Sequence, residues 1–254
     1  MPTALVTGAT AGLGAEFARQ LASTHDLVLV ARDTTRLEAT RGTLSTKHGI
    51  DVEVLAADLA TDAGCAAVAA RLQDSSRPID LLVNNAGIGT YQLFGTADLA
   101  KEEQQLDLNV RAVLRLSHAA VPGMTARGRG RILNVSSVSA FVPRGGNATY
   151  AASKAWVTMF SEALAIQLDG TGVTVTAVCP GFTHTEFHER AAADMSHVPD
   201  RMWLDAADVV REGLADTLAG KPVSVPSRQY KALVGAARTL PRPVLRAVMK
   251  RRGM

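Results

Sequence analysis

Cysteine is scarce in this chain. Cys65 and Cys179 stand far apart in a sequence of 254 residues, which leaves no disulfide framework and no thiolate pair for a metal. Both read as reduced core or surface residues of a cytosolic protein. Aromatic residues are also few, at 4%, so the bulk must come from Ala, Val and Leu, with Gly permitting close approach; that palette suits helices laid tightly on a sheet. No apolar run is long enough to span a bilayer, and no cationic-then-apolar leader precedes the first apolar segment. The expectation is a soluble, cytoplasmic protein. Acidic side chains are missing from residues 221–254, which hold nine Lys/Arg, whereas the preceding 220 residues hold 18 Lys/Arg against 24 Asp/Glu. The positive charge thus belongs to one tail, which is not the pattern of a uniformly basic nucleic-acid binder, and no aromatic-basic surface pattern supports one either. A hydrophobic content of 47% over this length is enough for a full core in one domain, or at most two.

Chemistry is concentrated between Ser137 and Lys154. Tyr150 and Lys154 are four apart in a segment, residues 150–168, that reads as helix, so both side chains share one face. A neutral phenol, with its ordinary pKa of about 10, shuttles protons poorly at neutral pH. A fixed ammonium one turn away favours the phenolate. Ser137 leaves a strand-like run over 131–135 and brings a hydroxyl to the same point. On its own Tyr-x-x-x-Lys also arises by chance in helices, so the rest of the chain decides.

Thr3–Thr7 is a short apolar run that opens into Gly8-Ala9-Thr10-Ala11-Gly12-Leu13-Gly14, followed by Leu13, Phe17 and Leu21 at helical spacing. Strand, glycine turn and helix either aim backbone N–H groups at a dinucleotide phosphate or form an ordinary βα turn. Asp26–Ala31 is a near-continuous apolar strand ending at Arg32-Asp33, with Arg36 shortly after. An acid at such a strand end accepts from a ribose 2′-hydroxyl, whereas an arginine pairs with a 2′-phosphate. Arg32 comes first, which favours NADP(H), and Asp33 then reads as the cap of the next helix. A third strand over 52–57 ends at Asp58-Leu59, where Asp58 either meets an adenine amino group or caps the helix starting near Thr61. The strand over 79–83 runs into Asn84-Asn85-Ala86-Gly87, read as paired asparagines tying strands beside room for a flat ligand, or as a turn. Residues 99–121 read as one long helix with Asn109 in its middle, which faces water, bends the helix or holds a water. A sixth strand over 173–178 ends in Cys179-Pro180-Gly181-Phe182-Thr183-His184-Thr185, and a last short strand covers 222–225. This alternation predicts an α/β fold: a doubly wound, all-parallel sheet of about seven strands in a Rossmann-type three-layer α/β/α arrangement. The ligand crevice is expected at the carboxyl ends of the strands.

In that register the chain resembles the short-chain dehydrogenase/reductase family over residues 1–226. The resemblance rests on Thr7-Gly8-x-x-x-Gly12-x-Gly14, Asn84-Asn85-Ala86-Gly87, Asn109, Ser137 set 13 residues before Tyr150, Lys154, and Pro180-Gly181. It implies that Tyr150 is the general acid/base and that Ser137 orients the substrate oxygen. Lys154 would hold the nicotinamide ribose and lower the Tyr150 pKa, with Asn109 holding a water that relays protons to it. It also implies an NADP(H) site made by Gly8, Thr10, Ala11, Gly12, Leu13 and Gly14, with Arg32, Arg36, Asp58, Leu59, Asn85, Ala86, Gly87, Tyr150, Lys154, Pro180 and Gly181. Thr183 and Thr185 would meet the nicotinamide carboxamide. One departure is Ala11, where many NADP-preferring members carry a basic residue.

The substrate is expected to be a small molecule met by residues 91–94, 141–146 and 182–204. Tyr91, Phe94, Phe141, Phe182, Phe187, Met195, Met202 and Trp203 suit a bulky apolar acyl chain, steroid or ketone, though such residues also pack in cores; Arg144 is an alternative anion contact. Residues 227–254 form a basic tail in which Arg242, Arg246 and Lys250 recur every fourth residue, with Val244, Leu245, Val248 and Met249 on the other side. It either docks on this body or a second subunit, touches an anionic membrane, or stays disordered. A homo-oligomeric NADP(H)-dependent carbonyl reductase or alcohol dehydrogenase is expected. The competing reading is a non-enzymatic dinucleotide-binding redox sensor or assembly partner.

Overall fold

The computed structural model describes residues 1–90, 92–143, 146–191, 193–196 and 198–251, with the side chains of Lys250 and Arg251 left aside. Tyr91 and Arg144, expected near the substrate, lie outside the described residues. Seven parallel strands stand in the order β3-β2-β1-β4-β5-β6-β7: β1 (Thr3–Thr7), β2 (Asp26–Ala31), β3 (Val52–Ala56), β4 (Leu81–Asn84), β5 (Gly130–Val135), β6 (Val173–Val178) and β7 (Val223–Ser224). The expected doubly wound sheet is therefore what forms. The winding direction reverses between β1 and β4, so the two loops leaving those strands part and open a crevice at the sheet's centre.

Strand side chains alternate between two cores because helices cover both faces. Leu5, Val28 and Val30 join Leu116, Ala120 and Ile132 on one side, while Ala4, Val6, Leu27 and Leu29 join Phe17, Leu37 and Val210 on the other. Each such Leu or Val contributes about 1.5–3 kcal/mol by leaving water. Helices α1 (Gly12–Leu21), α2 (Thr34–His48) and α3 (Asp62–Gln73) link the first four strands. Asp33 caps α2 by accepting from Arg36 N, as expected, and Gly49 closes it at φ 66.

The segment expected as one helix over 99–121 is broken. It consists of α4 (Leu99–Leu106), a π turn (Asp107–Arg111) and α5 (Ala112–Ala126). Asn109 sits in the π turn and is 1% exposed. Its side chain grips the Ile88 backbone, donating to Ile88 O at 2.8 Å and accepting from Ile88 N at 3.0 Å, which holds the wide turn in place of regular helix. After β5, α6 (Ala148–Gln167) returns to β6, and α7 (Phe187–Arg190) and α8 (Ala206–Leu218) precede β7. Beyond it come α9 (Arg228–Thr239) and α10 (Arg242–Arg251). Tyr230 and Val234 of α9 are buried in a core shared with Ala177, Cys179 and Val225. The Tyr230 hydroxyl accepts from Phe182 N at 3.1 Å and donates to Met202 O at 2.8 Å. Among the described residues, no helix is long and apolar enough to cross a membrane.

Candidate active site

One cleft of about 1000 Å³ opens at the carboxyl ends of the strands, large enough for an extended organic ligand. At its first end, the Thr7 hydroxyl clasps β1 to β4: it donates to Val83 O at 3.2 Å and accepts from Asn85 N and Ala86 N at 2.9 and 3.0 Å. Gly8 turns away at φ +66 and Gly12 at φ +51, in the left-handed region where a side chain is strained. Gly14 is demanded by space, since a Cβ there would lie 2.1 Å from Gly8 O. α1 then begins with no side-chain cap and no acid in its first turn. An uncapped N-terminus above a glycine turn suits a phosphate, and Gly8, Thr10, Ala11, Gly12 and Leu13 all line the cleft.

Arg32, Arg36, Asp58 and Leu59 close this end. Asp58 Oδ1 accepts from Ala60 N at 3.0 Å, but the cap of α3 is Thr61, which accepts from Gly64 N at 3.0 Å. Of the two readings of Asp58, the helix cap is thereby removed. Leu59 is only 4% exposed and packs mainly into the core. The paired asparagines do tie strands: Asn84 Nδ2 donates to Asn134 Oδ1 on β5 at 2.8 Å, and Asn85 Nδ2 donates to Thr7 O on β1 at 2.9 Å. Asn85, Ala86 and Gly87 still border the cleft, with Asn85 acting there as a brace.

Tyr150 and Lys154 meet the cleft midway, on one face of α6, with Lys154 Nζ 5.7 Å from the Tyr150 ring centre. Both are nearly buried. Lys154 Nζ donates to Val135 O at 2.9 Å, and burial pulls its pKa down from 10.5 to about 8, with Cys179 acting weakly the other way. The expected ammonium therefore persists at neutral pH but not far above it. Because the folded-state value lies below the unfolded one, keeping the charge costs folding free energy at neutral pH. That cost is relieved as pH rises from about 8 towards 10.5. Ser137 also faces the cleft, its Oγ accepting from Ser139 N at 3.1 Å at the start of a 3₁₀ turn (Val138–Phe141). Asn109 stands behind Gly87: a Cβ at Gly87 would lie 3.1 Å from Asn109 Oδ1 and 3.5 Å from Lys154 Nζ. Gly14 and Asn109 thus support the wall, whereas the other expected residues, including Pro180, Gly181, Thr183 and Thr185, line it. Cys179, buried beneath, has its thiol pushed up to about 11 by burial.

The far end is apolar. Phe141, Phe182, Phe187 and Met202 face it, as do Leu233 from α9, Leu240 from the linker after it, and Leu245, Val248 and Met249 from α10. Phe187 leans on Tyr150 with ring centres 5.7 Å apart. Trp203 stacks on His184 at 4.8 Å instead, and like Phe94 and Met195 it does not line the cleft, so these three depart from the expected substrate wall. Leu233 and Leu240 are not among the expected site residues; their helical spacing with Ala236 and Ala237, running through α9 and one residue past it, is the available signal.

A family model described as short chain dehydrogenase matches residues 2–196. The ketoacyl reductase HetN of Nostoc sp. is 35% identical over 181 residues, covering 71% of this chain and 63% of that protein, under two thirds of its length. A short-chain dehydrogenase from Sphingobium yanoikuyae, solved in complex with NADPH, superposes with a TM-score of 0.86 at 37% identity, covering 94% of each chain. The bulky-bulky ketone specific alcohol dehydrogenase of Comamonas testosteroni gives 0.81 at 29% identity, over 95% of this chain and 96% of that one. With its fold, its glycine turn and this match, the chain belongs to the short-chain dehydrogenase family of oxidoreductases.

Proposed function

We propose that the protein is an NADP(H)-dependent oxidoreductase acting on the carbonyl or secondary alcohol of a bulky, apolar substrate, with Tyr150 as general acid/base. The observation that carries this reading is the position of Tyr150 and Lys154. They sit at the joint between a glycine-turn end with Arg32 and Arg36 and an apolar end lined by aromatic and aliphatic side chains. When bound, NADP(H) supplies or accepts a hydride at the substrate carbon. The uncapped start of α1 would hold the pyrophosphate, Arg32 and Arg36 the 2′-phosphate, Lys154 the ribose hydroxyls, and Thr183 and Thr185 the carboxamide.

Ser137 orients the substrate oxygen, and Tyr150 gives it a proton on reduction or takes one on oxidation. The Lys154 ammonium favours the phenolate electrostatically, both side chains being buried in the cleft wall. A relay water near Asn109 would be held by the backbone of the π turn, since the side chain is engaged with Ile88 and Ser153. The apolar far end supports a substrate whose non-reacting part is lipophilic. The named activities of the Nostoc and Comamonas relatives agree with carbonyl chemistry.

The test is oxidation of NADPH against NADH across hydrophobic ketones, ketoacyl thioesters, steroids and small polar carbonyls. NADPH oxidation is expected with the bulky apolar set, at about ten-fold higher kcat/KM or more. Turnover confined to small polar carbonyls would contradict the substrate class. Two partner proposals accompany this reading: self-association, checked by light scattering, and contact of α10 with an anionic membrane, checked by vesicle sedimentation.

A further inference from the structure

Glu186 follows Thr185 in the strap after β6, and nothing above gives it a task. Its Oε2 lies 3.7 Å from Arg36 Nη1 on α2 and 2.5 Å from Arg190 Nη2 on α7. Among the described residues Arg36 has one other acidic neighbour within ion-pair distance, Asp33 Oδ2 at 3.9 Å, but Asp33 is committed to capping α2 through its other oxygen. The strap crosses the cleft. Thr185 lies close enough to Gly12 that a Cβ built there would be 3.2 Å from the threonine, and Phe187, two residues further on, leans on Tyr150. In this position the strap engages Arg36, one of the two arginines, with Arg32, assigned above to an adenosine 2′-phosphate.

We propose that Glu186 is a specificity-determining residue that competes with the 2′-phosphate for Arg36, so that binding NADP(H) and unfastening the strap from α2 are a single exchange. This rests on the NADP(H) reading above. A phosphate monoester carries more charge and more acceptor oxygens than a carboxylate, and arginine pairs with it in bidentate fashion, so it wins the exchange. The 2′-hydroxyl of NAD(H) offers no such charge and leaves the pair in place. Arg36 and Glu186 are each about half exposed, which keeps the pair weak and suits a contact that is made and broken in every cycle.

Calorimetric titration with adenosine 2′,5′-bisphosphate and with 5′-AMP tests this on four proteins: wild type, Glu186→Gln, Arg36→Leu and the double variant. Glu186→Gln is expected to bind the bisphosphate about two- to five-fold more tightly and 5′-AMP unchanged, with the gain absent when Arg36 is leucine. An equal gain for both ligands, or a gain that survives Arg36→Leu, would show a general field effect and overturn the proposal. Wild type that discriminates the two ligands, with Glu186→Gln silent, overturns it alone. Wild type that does not discriminate them removes the 2′-phosphate assignment first and this exchange with it.

Discussion

At the glycine-turn end of the cleft, positions are set by strand ends: Gly8 after β1, Arg32 after β2, Asp58 after β3 and Asn85 after β4 all lie within three residues of the last strand residue. At the apolar end the wall is assembled from Phe141, Phe187, Leu240 and Leu245, which belong to a 3₁₀ turn, a strap helix, a linker and the last helix and meet only through packing. The first end depends on backbone geometry that tolerates few residue types. The second depends on volume and apolarity, which many residues supply. A difference of this kind lets one end keep a fixed ligand while the other is free to change its preference.

Substitutions that separate the two ends sharpen this contrast. Tyr150→Phe, at the joint, is expected to cost about 10³-fold in kcat, while fluorescence titration gives NADPH binding within about two-fold of wild type. Loss of both in parallel would mean the phenol is a structural part of the cofactor end. Gly14→Ala strikes the glycine turn. Its Cβ would overlap Gly8 O, so urea unfolding should show ~3 kcal/mol lost together with weakened NADPH binding. Tyr230→Phe strikes the other end, removing the hydroxyl that joins Phe182 N to Met202 O. Stability should fall by about 1–2 kcal/mol and the substrate KM should rise, with the NADPH Kd unchanged. A shifted NADPH Kd would show that the ends are not separable.

The same contrast explains what could be read before the fold was known. The glycine turn, the Asn84-Asn85 braces and the Asp33 cap are local requirements, and local requirements leave residue-type signatures. Tyr150 and Lys154 were legible because helical spacing alone puts them together. Asn109 was legible as an oddity in a helix but not as the centre of a π turn, because its partner Ile88 is 21 residues away. Thr61 rather than Asp58 caps α3 because the helix starts at Asp62, a boundary finer than periodicity resolves. The role of α9 and α10 in the cleft wall was the least legible. Their apolar spacing shows that a face is covered but does not say which surface covers it.

The coupling of Lys154 to Tyr150 is tested most directly by the pH profile of kcat/KM for alcohol oxidation at saturating NADP⁺, in wild type and Lys154→Met. Burial holds the Lys154 pKa near 8, so through neutral pH its charge favours loss of the phenolic proton. The rising limb of the wild type should therefore lie at least about one pH unit below that of Lys154→Met, whose phenol has no cation beside it. Coincident limbs would contradict an electrostatic role for the lysine.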